Sequence, residues 1–378
     1  MSEVASTDVH VTCTATSQLT RLAEQIADAP WIALDSESNS MFAYRERVCL
    51  VQLNVRGQLV LIDPLTTAEA LPDLDPLRPA LEDPQRTVFL HGGEYDVAVF
   101  KREYNISLAG VFDTQQAAAF LGWPKTSYAA VVERLLGVVI DKSFRDYNWG
   151  TRPLDPRAVD YALHDVRYLP AVAEALQAAV DAADLHEEVA IANATVMAAA
   201  PHDAAFGPDH VHRVKGQHEL DPRQRGALQS LLIWRDEWAR EIDRPAGRLI
   251  NDRALLAIVR ASPTALGDLK RLRLGARVTR RAAGLLAALE RARKDAIAVP
   301  RQPASPRPDA ATRARGERLR QWRRKEAQRR EVPTQVVLPA RAMEMLAERG
   351  CEDFAAIPQL GDKRVALYGD TLRRLCRE

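Results

Sequence analysis

The stretch Trp31-Ile32-Ala33-Leu34-Asp35-Ser36-Glu37 decides how this chain is read. A short apolar run leads straight into a D-x-E. Such a run predicts a buried strand. In a strand, residues i and i+2 point to one face, so Asp35 and Glu37 share a face at the end of it. Two carboxylates placed there repel each other, and the arrangement is costly unless cations share them. Oxygen-only ligands suit hard Mg²⁺ or Mn²⁺. By itself D-x-E is also what a solvated strand end looks like, so the reading depends on partners elsewhere.

Moving outward, strand-like and helix-like stretches alternate. Residues 48–53 and 59–63 read as a strand pair split by an Arg56-Gly57 turn. Residues 87–91 read as another strand, closed by Gly92-Gly93, with a helix starting near Glu94. Helical spacing runs over 127–137 and 156–183, and the mixture predicts an α/β domain. Two further acids fall at telling places. Asp96 lies in the first turn of the helix after the 87–91 strand, where an acid also complements the helix dipole. Tyr161 and Asp165 are i and i+4 on one helix face, which an amphipathic helix with a packed Tyr and an exposed Asp would equally give.

The order D-x-E, then Asp, then Y-x-x-x-D resembles the tyrosine branch of the DEDD exonuclease superfamily. Flanking residues resemble ribonuclease D: Leu50-Val51-Gln52-Leu53, Asp113-Thr114, Lys142-Ser143, Asn148-Trp149, Arg152-Pro153-Leu154 and Tyr161-Ala162…Asp165-Val166…Tyr168-Leu169. The resemblance covers about residues 15–180. It implies a ribonuclease H-like mixed sheet flanked by helices. It also implies two divalent ions, Mg²⁺ or Mn²⁺, on Asp35, Glu37, Asp96 and Asp165, with Tyr161 orienting the attacking water. A phenol pKa near 10 makes Tyr161 a poor base. Lys142, Trp149 and Arg152 become candidate contacts to phosphate or base, with packing an equal account of Trp149. His91 and His164 sit near site residues and read as structural. One departure stands out. Ser38-Asn39-Ser40 follows the D-x-E where many relatives place a bulky aromatic, which leaves Phe42 or Tyr44 to fill that space.

The second half contains no convincing strand. Leu228, Leu231, Leu232, Trp234 and Trp238 recur at helical spacing, as do Leu255, Ile258 and Val259. A weak internal repeat pairs Leu232-Ile233-Trp234-Arg235, Ala239 and Arg244-Pro245 with Arg320-Gln321-Trp322-Arg323, Ala327 and Val332-Pro333. The two copies resemble HRDC domains, the type named for helicases and ribonuclease D. Pro300, Pro303, Pro306 and Pro308 lie between them and read as a linker. The expected division is an exonuclease domain over 1–205, all-α helical bundles over 211–298 and 313–378, and a linker over 299–312.

Charge divides along the same line. The 378 residues carry a net +1, but residues 1–210 hold 15 Lys and Arg against 30 Asp and Glu, and the remainder holds 37 against 21. A basic half suits a polyanion, although acidic and basic surfaces also simply solvate a protein or dock on each other. Residues 313–331 alone carry nine basic residues against three Glu, and Arg315, Arg318 and Arg329 are candidate RNA contacts.

No run of about 18 apolar residues exists to span a membrane. The polar N-terminus predicts no signal peptide, and cytoplasm is the expected location. Cys13, Cys49, Cys351 and Cys376 are scattered, which argues against a zinc knuckle and a disulfide framework. The expected activity is 3′→5′ exoribonuclease action on RNA with a free 3′ end, such as tRNA precursors, releasing 5′-mononucleotides. A DNA exonuclease of the proofreading type shares the same carboxylates, and a non-catalytic nucleic-acid-binding protein would keep the acidic pocket as a relic.

Overall fold

The computed structural model describes residues 10–65, 74–201, 206–207, 209–303 and 307–377. The polar N-terminal residues 1–9 and the domain boundary expected at 205 lie outside the described residues. So do residues 304–306 of the expected linker.

Six strands form one mixed sheet: β1 (Val11–Cys13), β2 (Trp31–Ser38), β3 (Val48–Val55), β4 (Gln58–Ile62), β5 (Thr87–Leu90) and β6 (Val111–Asp113), in the order β1-β4-β3-β2-β5-β6. The β3–β4 pair is antiparallel. Its turn places Arg56 and Gly57 at φ 52° and 86°, the positive-φ geometry that two-residue hairpins need. β1 pairs with β4, β5 with β2 and β6 with β5, all parallel. The four strands expected from sequence all form. β1 and β6 were not expected, and at three residues each they are too short to show a period.

Helices α1 (Thr16–Gln25), α2 (Arg78–Leu81), α3 (Glu94–Tyr104), α4 (Thr114–Phe120), α5 (Tyr128–Leu136), α6 (Pro156–Arg167), α7 (Leu169–Ala182) and α8 (His186–Met197) surround the sheet. Ile32 and Leu34 of β2 are fully buried. Each such side chain stabilises the fold by about 1.5–3 kcal/mol. That offsets the cost of ending the same strand in carboxylates.

The chain divides into two compact units. One comprises residues 1–37, 48–202 and 307–378, and the other comprises 38–47 and 203–306. The second unit holds α9 (His210–Arg213), α10 (Pro222–Glu241), α11 (Ala246–Leu249), α12 (Asp252–Ala261), α13 (Leu266–Arg271), α14 (Ala276–Arg280) and α15 (Ala282–Lys294). Its core contains the expected Leu228, Leu231, Leu232, Trp234, Trp238, Leu255, Ile258 and Val259. The excursion 38–47 packs there too. Tyr44 donates its hydroxyl to Asp236 (2.7 Å) and its backbone N–H to Asp243 (3.0 Å).

The last bundle shares its unit with the sheet. It consists of α16 (Ala310–Arg330), α17 (Thr334–Val337), α18 (Ala340–Arg349) and α19 (Asp362–Arg377). α16 starts inside the segment expected to be linker, with Asp309 as its N-cap accepting from the Thr312 N–H. The sequence repeat is a structural one: α10 and α16 are each followed, after Pro245 and Pro333, by a one-turn helix and then by α12 or α18. The Glu187 carboxylate on α8 accepts the Lys363 backbone N–H at the start of α19 (3.0 Å), and Lys363 Nζ lies 3.4 Å from Glu188.

The cysteines depart from expectation. Cys351 and Cys376 form a disulfide, with Cα atoms 6.0 Å apart and a sequence separation of 25. The spacing concealed it because α18 and α19 fold back and bring the two positions together. No described helix is long and apolar enough to cross a membrane.

Candidate active site

The four expected carboxylates come from three elements. β2 carries Asp35 and Glu37, the first turn of α3 carries Asp96, and α6 carries Asp165. One oxygen from each of Asp35, Glu37 and Asp165 can be chosen so that all three lie within 4.8 Å of one another. Asp96 is buried, and its Oδ1 accepts the Ser36 hydroxyl at 2.5 Å.

The turn that launches α3 is locked from below. Asp113, wholly buried at the end of β6, accepts the backbone N–H groups of Gly92 (3.0 Å) and Gly93 (2.8 Å) while also capping α4 through Gln115 and Gln116. Gly93 is required, because a Cβ there would lie 2.4 Å from Leu90 Cδ1. Thr114 donates its hydroxyl to the Leu90 carbonyl (2.9 Å), and His91 Nδ1 meets that hydroxyl at 2.8 Å. The motif Asp113-Thr114 therefore sets the position of Asp96 without touching the cluster.

α6 is fixed at both ends. Asp155 caps it through the Arg157 N–H, and Pro156 begins it. At its far end the Asn54 side-chain amide donates to the Val166 and Arg167 carbonyls (3.0 and 3.3 Å), satisfying acceptors that the helix leaves open. Ala158, Ala162, Leu163 and Val166 bury one face against β3 and β4 residues. That registers Tyr161 and Asp165 beside β2. Trp149 lies 6.3 Å from the Tyr161 ring, and Phe144 6.1 Å.

The electrostatics follow from this crowding. Burial, then the charges of Asp96, Asp165 and Glu37, raise the Asp35 pKa well above the usual carboxylate range. Burial and the charges of Asp165 and Asp96 raise Glu37 likewise. Burial lifts Asp96 to about 6 and, with the Asp96 charge, Asp165 to about 7. None of the four has an ion-pair partner among the described residues. Crowded, half-buried to buried carboxylates with no compensating cation, all supplying oxygen ligands, fit a hard divalent ion. Burial and the charges of Asp165, Glu37 and Asp35 push the Tyr161 phenol above its ordinary value, so it stays un-ionised.

The expected nucleic-acid contacts fare differently. Lys142 is exposed. Trp149 is only 3% exposed and is packed among Cys49, Leu50, Leu59 and Leu61, so in this structure its ring serves as packing. Arg152 grips Asp63 through two hydrogen bonds (2.8 and 2.6 Å) and donates to the Cys49 and Trp149 carbonyls, so it fastens the 141–153 segment to the sheet. Arg315 and Arg318 donate through Nε to the Ala347 and Leu375 carbonyls (2.7 and 2.9 Å). Arg329 is exposed and paired with Glu326. Phe42 and Tyr44 belong to the second compact unit. Tyr44 is bonded as described, and Phe42 lies under the Arg248 guanidinium, 5.3 Å from its ring centre. Sequence reading passed over Ser36, Asn54 and Asp113 as supports. Of these only Asp113 carried a signal, through the Asp113-Thr114 motif.

A mixed sheet presenting four acids from β2, α3 and α6, with helical bundles after it, defines a 3′–5′ exonuclease of the DEDD class. The 3′–5′ exonuclease family matches residues 10–181, and the HRDC domain matches twice, over 224–294 and 313–376. Ribonuclease D of Escherichia coli (strain K12) is 33% identical over 287 residues, covering 75% of each chain. Ribonuclease D of Jannaschia sp. (strain CCS1) is 32% identical over 293 residues, 74% of this chain and 73% of that one. The crystal structure of Escherichia coli RNase D, described as an exoribonuclease involved in structured RNA processing, matches 98% of this chain and 99% of its own with a TM-score of 0.71 and 26% identity. The chain belongs to the ribonuclease D family, and it is a hydrolytic 3′–5′ exoribonuclease.

Proposed function

We propose that the enzyme removes 5′-mononucleotides one at a time from RNA bearing a 3′-hydroxyl, with structured RNA such as tRNA precursors as the substrate class and the cytoplasm as its location. The observation that carries this reading is the crowding of Asp35, Glu37 and Asp165, with oxygens within 4.8 Å and no cationic side chain pairing them among the described residues. Asp35, Glu37, Asp96 and Asp165 would hold two divalent ions, Mg²⁺ or Mn²⁺. Bound there, the ions supply Lewis acidity and offset the charge that develops on the reacting phosphate.

The chain's own groups do the rest. Asp35 and Glu37, fixed by the strand period, and Asp165, fixed by α6, present ligand oxygens without needing a loop to order first. Ser36 steadies Asp96 through its hydroxyl. Tyr161, un-ionised, orients the attacking water by its hydroxyl and does not take its proton. Lys142 and the exposed basic residues of α16, Arg329 among them, add phosphate contacts. Digestion of matched RNA and DNA oligomers with 3′-hydroxyl or 3′-phosphate ends, in Mn²⁺ and in EDTA, tests the reading. Metal-dependent release of 5′-mononucleotides from the 3′-hydroxyl RNA supports it. Equal or faster digestion of DNA, or turnover in EDTA, overturns it.

A further inference from the structure

A cavity of about 380 Å³ opens beside the catalytic tyrosine, lined by Asp141, Phe144, Arg157, Asp160, Tyr161 and His164. Its size is at the low end for small-ligand sites, suited to one planar group and too small for a helix. Phe144 supplies an aromatic wall. The rings of Tyr147 and Tyr161 lie 5.5 and 6.1 Å from it, at 67° and 50°, so neither is stacked on it. The guanidinium of Arg157 stands 5.6 Å from the Phe144 centroid on a side chain that is 80% exposed and ion-paired with Asp155 on its own helix cap. A planar ligand can therefore displace it from the ring face.

Charge selects the kind of ligand. Asp141 and Asp160 line the cavity: Asp141 accepts from the Ser143 N–H and hydroxyl, Asp160 is paired with Arg167 at 3.3 Å, and the arginine that lines the cavity is paired with Asp155. A phosphate would meet two carboxylates and an arginine already committed to Asp155. A neutral base with amino hydrogens would find both a stacking face and acceptors.

We propose that this cavity is a nucleobase subsite. A base within two nucleotides of the RNA 3′ end stacks on Phe144, and the Asp141 and Asp160 carboxylates accept its amino hydrogens. Adenine, cytosine and guanine, which carry an exocyclic amine, should be held better than uracil. The proposal rests on the reading of the site as an RNA 3′-end hydrolase.

The test pairs a protein change with a substrate change. Wild type, Phe144→Ala, Phe144→Leu and Phe144→Tyr are given RNA oligomers that are intact or abasic at the last or the penultimate nucleotide, and KM and kcat are measured in saturating Mn²⁺. Stacking is worth about 1–3 kcal/mol per base, or roughly 5- to 150-fold. Removing the stacked base should raise the wild-type KM by that order. Phe144→Ala and Phe144→Leu should raise KM for intact RNA similarly and lose discrimination against the abasic oligomer, and Phe144→Tyr should recover both. Thermal melting of each variant checks the fold, and the Leu variant keeps the apolar packing. If Phe144→Leu lowers kcat equally on intact and abasic RNA, or if it discriminates as wild type does, the subsite is overturned. Binding of the same oligomers by fluorescence anisotropy in Ca²⁺ decides the subsite independently. Absence of turnover in every metal would instead overturn the hydrolase reading.

Discussion

Ser36, the residue between the two carboxylates of the D-x-E, donates its hydroxyl to Asp96 at 2.5 Å. One strand thus presents two acids and steadies a third. Asp96 lies 60 residues further along the chain. The bond also opposes the burial that raises Asp96, favouring its charged form.

Replacing that hydroxyl should loosen Asp96 without removing any acid. We expect Ser36→Ala to raise the Mn²⁺ concentration for half-maximal activity about 10-fold, the lower end for a residue that orients a metal ligand. An unchanged metal requirement, with the fold intact by circular dichroism, would return Ser36 to ordinary packing.

Removing an acid should separate activity from stability. Asp35→Ala and Asp165→Ala should abolish hydrolysis, yet leave the metal-free melting temperature level or higher, because a repelling carboxylate is gone. Residual turnover above about a tenth of wild type in either variant would be incompatible with two ions acting together.

The same repulsion gives the metal-free protein a pH dependence. Asp96 and Asp165 are raised from the ordinary 3.8 to about 6 and about 7 in the folded chain. The folded state therefore holds protons that the unfolded state has already released. Their stabilising contribution is complete below about pH 4 and disappears as pH rises through about 6 and 7. In EDTA the melting temperature should be lower at about pH 8 than at about pH 5.5 by a few degrees, about the effect of 1–2 kcal/mol on a chain of this size. Mg²⁺ or Mn²⁺ should restore it at the higher pH and do little at the lower. A metal-induced rise of the same size at both values would contradict the coupling.

Tyr161→Phe removes one hydroxyl and keeps the ring that Trp149 and Phe144 support. Turnover should fall about 10²–10⁴-fold with RNA affinity unchanged. Single-turnover rates and anisotropy titrations on one oligomer check both halves. Wild-type turnover would leave the tyrosine as helix packing only.

Surface charge on α16 should be felt through salt. Arg313, Arg324 and Lys325 are exposed on it. Changing all three to Gln should flatten the dependence of log K on log salt by about 0.7–0.9 for each phosphate no longer neutralised. Identical slopes would mean this face does not meet RNA. Point changes suit this test better than deleting 211–378, because the last bundle shares a compact unit with the sheet and takes a cap from Glu187.

By itself the sequence determined the parts of the site that depend on local periods. A strand repeats every two residues, so D-x-E put Asp35 and Glu37 on one face. A helix repeats about every 3.6, so Y-x-x-x-D put Tyr161 beside Asp165. The hairpin at Arg56-Gly57 and the twin bundles were legible for the same reason, since turn chemistry and helical spacing act over a few residues. What only the tertiary structure decided were relationships between residues far apart in the chain. Ser36 reaching Asp96, Asp113 locking the Gly92-Gly93 turn and Arg152 gripping Asp63 are of this kind. So is the Cys351–Cys376 bridge, and so is the excursion 38–47, whose Tyr44 serves the core of the other unit. Trp149 and Arg152 read from sequence equally as ligand contacts or as packing, because an aromatic and a cation near a catalytic motif suit RNA as well as they suit packing. Burial separates the two uses, and burial is set by which distant segments fold over a side chain, which no local pattern records.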